Sequence, residues 1–323
     1  MESRPVVSSI VPIVINAICK PGLKRVICAA EVAYVAAIYS DSPARIVDMN
    51  DANRTVGPAK IGTVTDISFR PSEFYTLDEP CIEAAVASGK GSIGAQLIDL
   101  VHGDATIAPS IWTQSVAYSD AGRYLVCGTA DGELSAFDLM GSAKLVLKTK
   151  LSKTPILSVA AGPGALTKRE ALVAYAVSDG RVFRVRHKGE KKPEVTEIEP
   201  HSTVKDGEYR GCNLVAAHGD SDLALFAFWH RDPLSGTIKT DVVFGDFEGR
   251  RPDLLVLPRQ ETSFVRQLAF LPNRCQFAIC DEHSVELWSI GIEPKLMRRL
   301  EIKKEFAPYA AQQRGDVLVI VCG

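Results

Sequence analysis

The most basic segment of the chain is the run RVRHKGEKK, from Arg184 to Lys192. Arg184, Arg186, Lys188, Lys191 and Lys192 are candidate contacts for a phosphate or an acidic partner surface. No aromatic residue interrupts the run, so it offers no stacking platform for bases, and any nucleic-acid contact would be to the backbone. A solvated turn between two strands accounts for the same composition. Two thinner basic stretches, Lys20–Arg25 and Lys144–Lys150, carry the same pair of readings. On the outermost strand of a sheet, lysines are also what protects an edge from unwanted pairing.

Residues that could break or make bonds are harder to assemble. The six histidines, His102, His187, His201, His218, His230 and His283, show no HExxH motif and no metal-ligand spacing with cysteine. The glycine-rich Ser88-Gly89-Lys90-Gly91 lacks the spacing of a phosphate-binding loop and reads as a hairpin turn. There is no GxSxG nucleophile motif. Asp131 and Asp179 stand in Asp-Gly dipeptides, where the carboxylate serves a turn by capping backbone amides. The expectation is therefore no catalytic residue, no cofactor-binding residue, no metal ligand, and a protein that is not an enzyme.

The elements that would carry these residues are short. From Trp112 to Leu139 the chain reads as three strands: Thr113–Tyr118, Arg123–Cys127 and Glu133–Leu139, the last two joined by an Ala-Asp-Gly turn. A lone sheet of this size cannot bury its faces, so further copies are expected. The first strand recurs as VINAICKPG (Val14–Gly22), VTDISFRPS (Val64–Ser72), ILSVAAGPG (Ile156–Gly164) and VRQLAFLPN (Val265–Asn273), with weaker copies at Cys212–Asp220 and Ala307–Gly315. The spacing averages about 49 residues, close to the period of WD40 and kelch blades. Third strands end in IVDM (Ile46–Met49), LIDL (Leu97–Leu100), AFDL (Ala136–Leu139), FGDF (Phe244–Phe247) and LWSI (Leu287–Ile290). These resemble degenerate Trp-Asp endings; only Trp288 keeps the Trp.

The fold expected is all-β, a seven-bladed WD40-like β-propeller with degenerate repeats, as one domain over residues 1–323. Residues 1–13 would be the closing strand. Blades one to six would occupy 14–59, 64–108, 112–151, 156–199, 212–258 and 264–302, and 306–323 a partial seventh lacking its third strand. The middle strand of blade one is either Arg25–Ala30 or Val32–Tyr39. The amphipathic KLMRRLEIKK (Lys295–Lys304) is expected as a fourth strand rather than a helix, and the longest inter-strand loop is His230–Thr237.

Composition agrees. A hydrophobic share of 46% suffices for a large core, and a formal net charge of −2 gives no global field to draw in nucleic acid. The eight cysteines include no CxxC pair and read as small buried thiols of a reducing compartment. Val6–Cys19 is apolar but is interrupted by Ser8, Ser9, Pro12 and Asn16, and it falls short of the ~18 residues a spanning helix needs. No membrane association is expected.

Blade one carries a more specific likeness. Val11–Phe69 resembles the opening of the propeller in the enhancer-of-mRNA-decapping scaffold family, which includes VARICOSE. The shared order is a VxPV-like start, an AYAxx-like strand (Ala33–Ala37), an (A/V)RIxx(I/M)N-like strand (Ala44–Asn50), an ANRTV-like segment and a VTDxxF strand (Val64–Phe69). Glu305-Phe306 and the following Pro308 echo the family's closing SEF-x-x-x-x-P-like strand. The family's Gly-His before VTD is here Lys60-Ile61-Gly62. The resemblance implies a non-catalytic scaffold that joins decapping factors through propeller faces and loops, in the cytoplasm and its P-bodies. Without it, a propeller subunit of a coat, transport or nuclear assembly fits the same repeats. RNA binding through the basic stretches is a weaker alternative.

Overall fold

The computed structural model describes residues 6–14, 22–29, 34–51, 55–56, 64–71, 83–88, 95–100, 105–107, 113–119, 122–140, 143–162, 172–189, 192–199, 209–232, 235–247, 253–260, 263–273, 275–303, 308–314 and 316–322. Every regular element among them is a strand. In chain order, β1 is Ser9–Val14. Then come β2 (Leu23–Cys28), β3 (Tyr34–Tyr39), β4 (Arg45–Asp48) and β5 (Thr55–Val56). Next are β6 (Val64–Phe69), β7 (Glu83–Ser88), β8 (Gln96–Asp99) and β9 (Ala105–Ile107). The third group is β10 (Thr113–Tyr118), β11 (Tyr124–Thr129), β12 (Glu133–Asp138) and β13 (Lys144–Lys150). The fourth is β14 (Ile156–Ala161), β15 (Leu172–Ser178), β16 (Arg181–His187) and β17 (Glu194–Ile198). The fifth is β18 (Tyr209–Ala217), β19 (Leu223–Arg231), β20 (Ile238–Asp246) and β21 (Asp253–Val256). The sixth is β22 (Val265–Phe270), β23 (Gln276–Asp281), β24 (Ser284–Ser289) and β25 (Lys295–Glu301), followed by β26 (Pro308–Arg314) and β27 (Val317–Cys322).

Each group of four is an antiparallel sheet in chain order, and a three-stranded sheet with the order β26-β27-β1 makes the seventh. These are the seven blades of a propeller. The first strands of consecutive blades touch all the way round, from β2 through β6, β10, β14, β18, β22 and β26 back to β2, so they line the axis.

Packing follows the same count. Seven apolar clusters each lie between one pair of neighbouring blades. Ile38, Ile46, Ile67 and Ile98 fill the contact of blades one and two, and Leu125, Phe137, Ala85 and Ala87 that of two and three. Val26, Val35 and Tyr39 of blade one meet Ala310 and Val321 of blade seven, which closes the ring. The second strands explain why no blade stands alone. All seven residues of β15, LVAYAVS, are buried, because both faces of a central strand press on neighbours. Burying a Val, Leu, Ile or Phe side chain is worth about 1.5–3 kcal/mol, and an isolated sheet would gain that on neither face.

Three sequence expectations need correcting. Val14–Gly22 is not the first strand of blade one: Val14 ends β1, the innermost strand is β2, and residues 15–21 lie outside the described residues. VINAIC and LKRVIC are both of strand length and mostly apolar, so local pattern could not choose between them. Blade five's turn is shorter than expected, because β19 extends to Arg231 and β20 begins at Ile238. The vacancy foreseen at the third position of blade seven is occupied by β1, which pairs with β27 in parallel. Lys295–Glu301 is a strand, and β13 is an outermost strand with its lysines outward. No helix among the described residues is long and apolar enough to cross a membrane.

Candidate functional site

The feature that recurs in every blade is a bulge. The register of the first strand against the second shifts at Leu23/Arg25, Val64/Asp66, Thr113/Ser115, Ile156/Ser158, Cys212/Leu214, Val265/Gln267 and Pro308/Ala310. At these shifts the extra residues are Lys24, Thr65, Gln114, Leu157, Asn213, Arg266 and Tyr309, and β18 carries a second shift at Tyr209/Gly211. A bulge leaves one residue outside the ladder and re-aims its side chain. The seven therefore stand as a ring on the innermost strands, close to the end where those strands begin. That end also carries the turns between second and third strands, since adjacent strands run in opposite directions.

This ring surrounds one mouth of the central channel and has an uneven chemistry. Lys24 is exposed, and Leu157 is 61% exposed, unusual for leucine on an innermost strand. The Arg266 guanidinium lies over the Tyr309 ring at 4.5 Å, joining blades six and seven. Blades six, seven and one thus present a continuous arc of Arg266, Tyr309 and Lys24, with no acidic residue among the seven bulge positions.

The residue after the bulge stitches blades together. An innermost strand has a free edge, so some of its amides have no ladder partner and must find another. Asp66 Oδ2 accepts from the Val116 amide of blade three at 3.1 Å, and Gln267 Oε1 accepts from the Ala311 amide of blade seven at 2.7 Å. The two amides hold equivalent positions in their strands. Ser115 Oγ donates to the Ile156 carbonyl at 3.0 Å, from blade three to blade four. Asp66 also receives Arg25 of blade one at 2.8 Å. Burial raises its carboxyl above the ordinary range, opposed by Arg25 and by the Val116 and Ile67 amides.

Beneath the same face lies a buried ionic cluster that sequence reading missed. Arg259, on the segment entering blade six, donates to Asp281 Oδ2 at 2.7 Å and Glu286 Oε2 at 2.9 Å. The side chains of Arg259 and Glu286 are 1% exposed and that of Asp281 is fully buried. Trp288 Nε1 donates to Glu286 at 3.0 Å, while Asp281 also accepts from the amides of His283 and Ser284. The signal was present in SVELWS, where Ser284 and Glu286 interrupt a strand buried on both faces.

Of the residues singled out from sequence, Asp131 and Asp179 lie in second-to-third-strand turns at the same end as this mouth, whereas the described basic residues from Arg184 onward lead away from it. Asp179 occupies the turn between β15 and β16 with φ of 55° beside Gly180 at 72°, a pair of left-handed conformations that closes a two-residue hairpin. Asp131 accepts from the Thr129 hydroxyl and the Lys150 ammonium, which together hold its carboxyl below the usual range. The amide of Glu133 is taken by Thr129 Oγ1 at 2.9 Å. Arg184 is committed to Asp222 of blade five, with Nε to Oδ1 at 3.2 Å, and Tyr175 donates to the same carboxylate at 2.6 Å. Arg184 also lies 5.3 Å from the centre of the Phe247 ring. Arg186 is partly buried on the same strand, whereas Lys188 and Lys192 are exposed at the hairpin after β16, on the face opposite the mouth. Lys191, like Lys20, His102, His201 and Gly89–Gly91, lies outside the described residues. The three basic stretches therefore occupy an innermost, an outermost and a third strand, and the fold does not merge them.

Buried thiols carry no sign of reactivity. Burial pushes Cys127 and Cys212 up to about 12, and Cys280 well above the ordinary thiol value. Among the described residues no group of three or more His, Cys, Asp or Glu side chains is placed to hold a metal. No protein-family model matches the chain, and no curated protein matches it.

Proposed function

We propose that this protein is a non-catalytic interaction scaffold of the WD40 type, which holds protein partners at the channel mouth ringed by the seven bulges. The observation that carries the reading is the exposure of Lys24 and Leu157, with the Arg266–Tyr309 stack, on strands locked from both sides by neighbouring blades. A rigid ring presenting an aromatic–cation pair on blades six and seven and an exposed leucine on blade four suits recognition of a peptide or loop, because tyrosine and arginine are among the side chains that dominate binding energy at interfaces. The basic arc favours a partner segment bearing acidic residues. No reaction is assigned to the site.

Within this reading, the resemblance of Val11–Phe69 to the enhancer-of-mRNA-decapping scaffold family supports a finer one: joining decapping and decay factors in the cytoplasm, including P-bodies. Purification of the tagged chain under native conditions, followed by mass spectrometry, tests both levels. Recovery of decapping factors, reduced by Lys24→Glu with Arg266→Glu, is the expected result. Recovery of vesicle-coat or nuclear-pore subunits instead would discard the decapping reading and keep the scaffold. Turnover in a broad hydrolase screen would overturn the scaffold reading itself.

A further inference from the structure

Two of the eighteen prolines follow a serine or threonine: Pro43 after Ser42 and Pro155 after Thr154. Both dipeptides stand at the end of the molecule that carries the channel mouth. Ser42-Pro43 lies in the turn between β3 and β4, and Thr154-Pro155 leads from β13 into β14. Their hydroxyls are placed differently. Thr154 is partly buried, and Ser178 Oγ lies 3.0 Å from its hydroxyl and 3.0 Å from its carbonyl. Ser42 is exposed, as are Asp41 and Pro43 on either side of it.

The surroundings of Ser42 suit capture in the cleft of another protein. Proline pushes the residue before it into an extended conformation, and from Pro43 the chain runs straight on into β4. Ser42-Pro43-Ala44-Arg45 thus presents a hydroxyl, a proline next to it and a guanidinium three residues on. The strands behind this run are short. β5, Thr55–Val56, stands opposite Val47 and Ile46, so Arg45 at the start of β4 lies outside that ladder. Little backbone pairing has to open for the segment to be taken up.

We propose that Ser42 is a phosphorylation site, for a protein kinase of the class that takes proline at the next position and a basic residue three places on, and that its phosphate switches off the channel mouth. The second half rests on the mouth being the partner site. In the transfer, the Ser42 hydroxyl oxygen attacks the γ-phosphorus of ATP, the bond to the β–γ bridging oxygen breaks and ADP leaves. The hydroxyl proton passes to the catalytic aspartate of the kinase. Pro43 has no N–H to offer, which excludes kinases that bond to the amide after the serine. The turn connects to the mouth directly. Ser40 N donates to the Gly22 carbonyl at 2.8 Å. Ser42 lies two residues beyond the first partner, and Lys24, on the bulge of β2, two beyond the second. Phosphoserine carries about −1.5 to −2 charge at pH 7. With Asp41 beside it, the turn then offsets the cations of Lys24 and Arg266 and repels a partner segment bearing acidic residues.

The test gives the folded chain ATP and a proline-directed kinase chosen for activity on a peptide of residues 38–48, and maps the sites by mass spectrometry. The expected result is phosphate on Ser42, its loss in Pro43→Ala, and none on Thr154 until the chain is denatured. No phosphate on Ser42 of the folded chain would overturn the site. The consequence is read twice, by acylation of the Lys24 amine and by retention of the partners recovered with the unmodified chain. Acylation of Lys24 is expected to slow severalfold, because a nearby anion favours the unreactive ammonium. Partner retention is expected to fall about tenfold, as for like charges set against each other. Kinase treatment of Ser42→Ala should change neither. A phosphorylated chain unaltered in both would overturn the switch. Slowed acylation with partners fully retained would uphold the phosphorylation site and its reach to Lys24, and overturn the mouth as the place where partners bind.

Discussion

Asp66 joins three blades, and two substitutions separate its charge from its hydrogen bonds. Alanine removes the acceptor of the Val116 amide, 3.1 Å away in blade three, and leaves a buried N–H unpaired. The cost of such an orphan is about 1–3 kcal/mol. Asparagine keeps an oxygen for that amide and removes the charge. Asp66 is 4% exposed, and burial is the largest influence on its carboxyl, raising its pKa from 3.8. The Arg25 side chain is 37% exposed, so its attraction is screened by solvent and is worth less than the geometry suggests. The raised folded-state pKa fixes the sign. Below the ordinary value of 3.8 the carboxyl is neutral folded and unfolded, and it carries no penalty. As pH rises through the folded value, wild type loses stability relative to a neutral isostere. Asp66→Asn is thus expected to lie within about 1 kcal/mol of wild type at pH 7, with its relative standing declining as pH falls. Asp66→Ala stays destabilised throughout. Urea unfolding followed by tryptophan fluorescence at pH 7 and pH 4.5 reads both. Equal loss from Asn and Ala at pH 7 would refute the reasoning, since the charge would then be the attachment.

Asp222→Ala strands Arg184 and the Tyr175 hydroxyl at the contact of blades four and five, and should cost about 1.5–3 kcal/mol in urea denaturation. Gly128→Ala would put a methyl group 2.5 Å from both Ile156 Cγ2 and Ser115 Oγ, and should lower stability by about 1–3 kcal/mol through overpacking between blades three and four. Alkylation of the native protein, mapped by mass spectrometry, should modify Cys275 first among the described cysteines and leave Cys127, Cys212, Cys280 and Cys322 unmodified until denaturant is added. Arg259→Met leaves Asp281 and Glu286 without their shared cation and should cost about 3–5 kcal/mol by thermal or urea unfolding.

The propeller was legible because each blade repeats one local rule. VTDISF, TQSVAY, ILSVAA and VRQLAF share an apolar frame, and Asp131 and Asp179 mark turns whose backbone chemistry is local. What local pattern could not supply was partnership. Val14–Gly22 and Leu23–Cys28 are equally strand-like, and only pairing with Tyr34–Tyr39 identifies the innermost strand. The ring of bulges was invisible for the same reason: Lys24, Leu157 and Arg266 become equivalent only after each first strand is aligned with its second. Arg184 looked available in sequence because its carboxylate partner, Asp222, stands 38 residues away in another blade. Arg259 was passed over because its acidic partners are 22 and 27 residues further on.

The central claim is that partners are held at the bulge-ringed mouth rather than at the opposite face. Hydrogen–deuterium exchange on the complex recovered from cells, compared with the free chain, addresses it most directly. Slowed exchange is expected at the starts of β2, β14, β22 and β26, abolished with partner binding in Lys24→Glu/Leu157→Asp/Arg266→Glu and retained in Lys188→Glu/Lys192→Glu. Protection confined to the hairpin after β16, with binding lost only in the second variant, would contradict it.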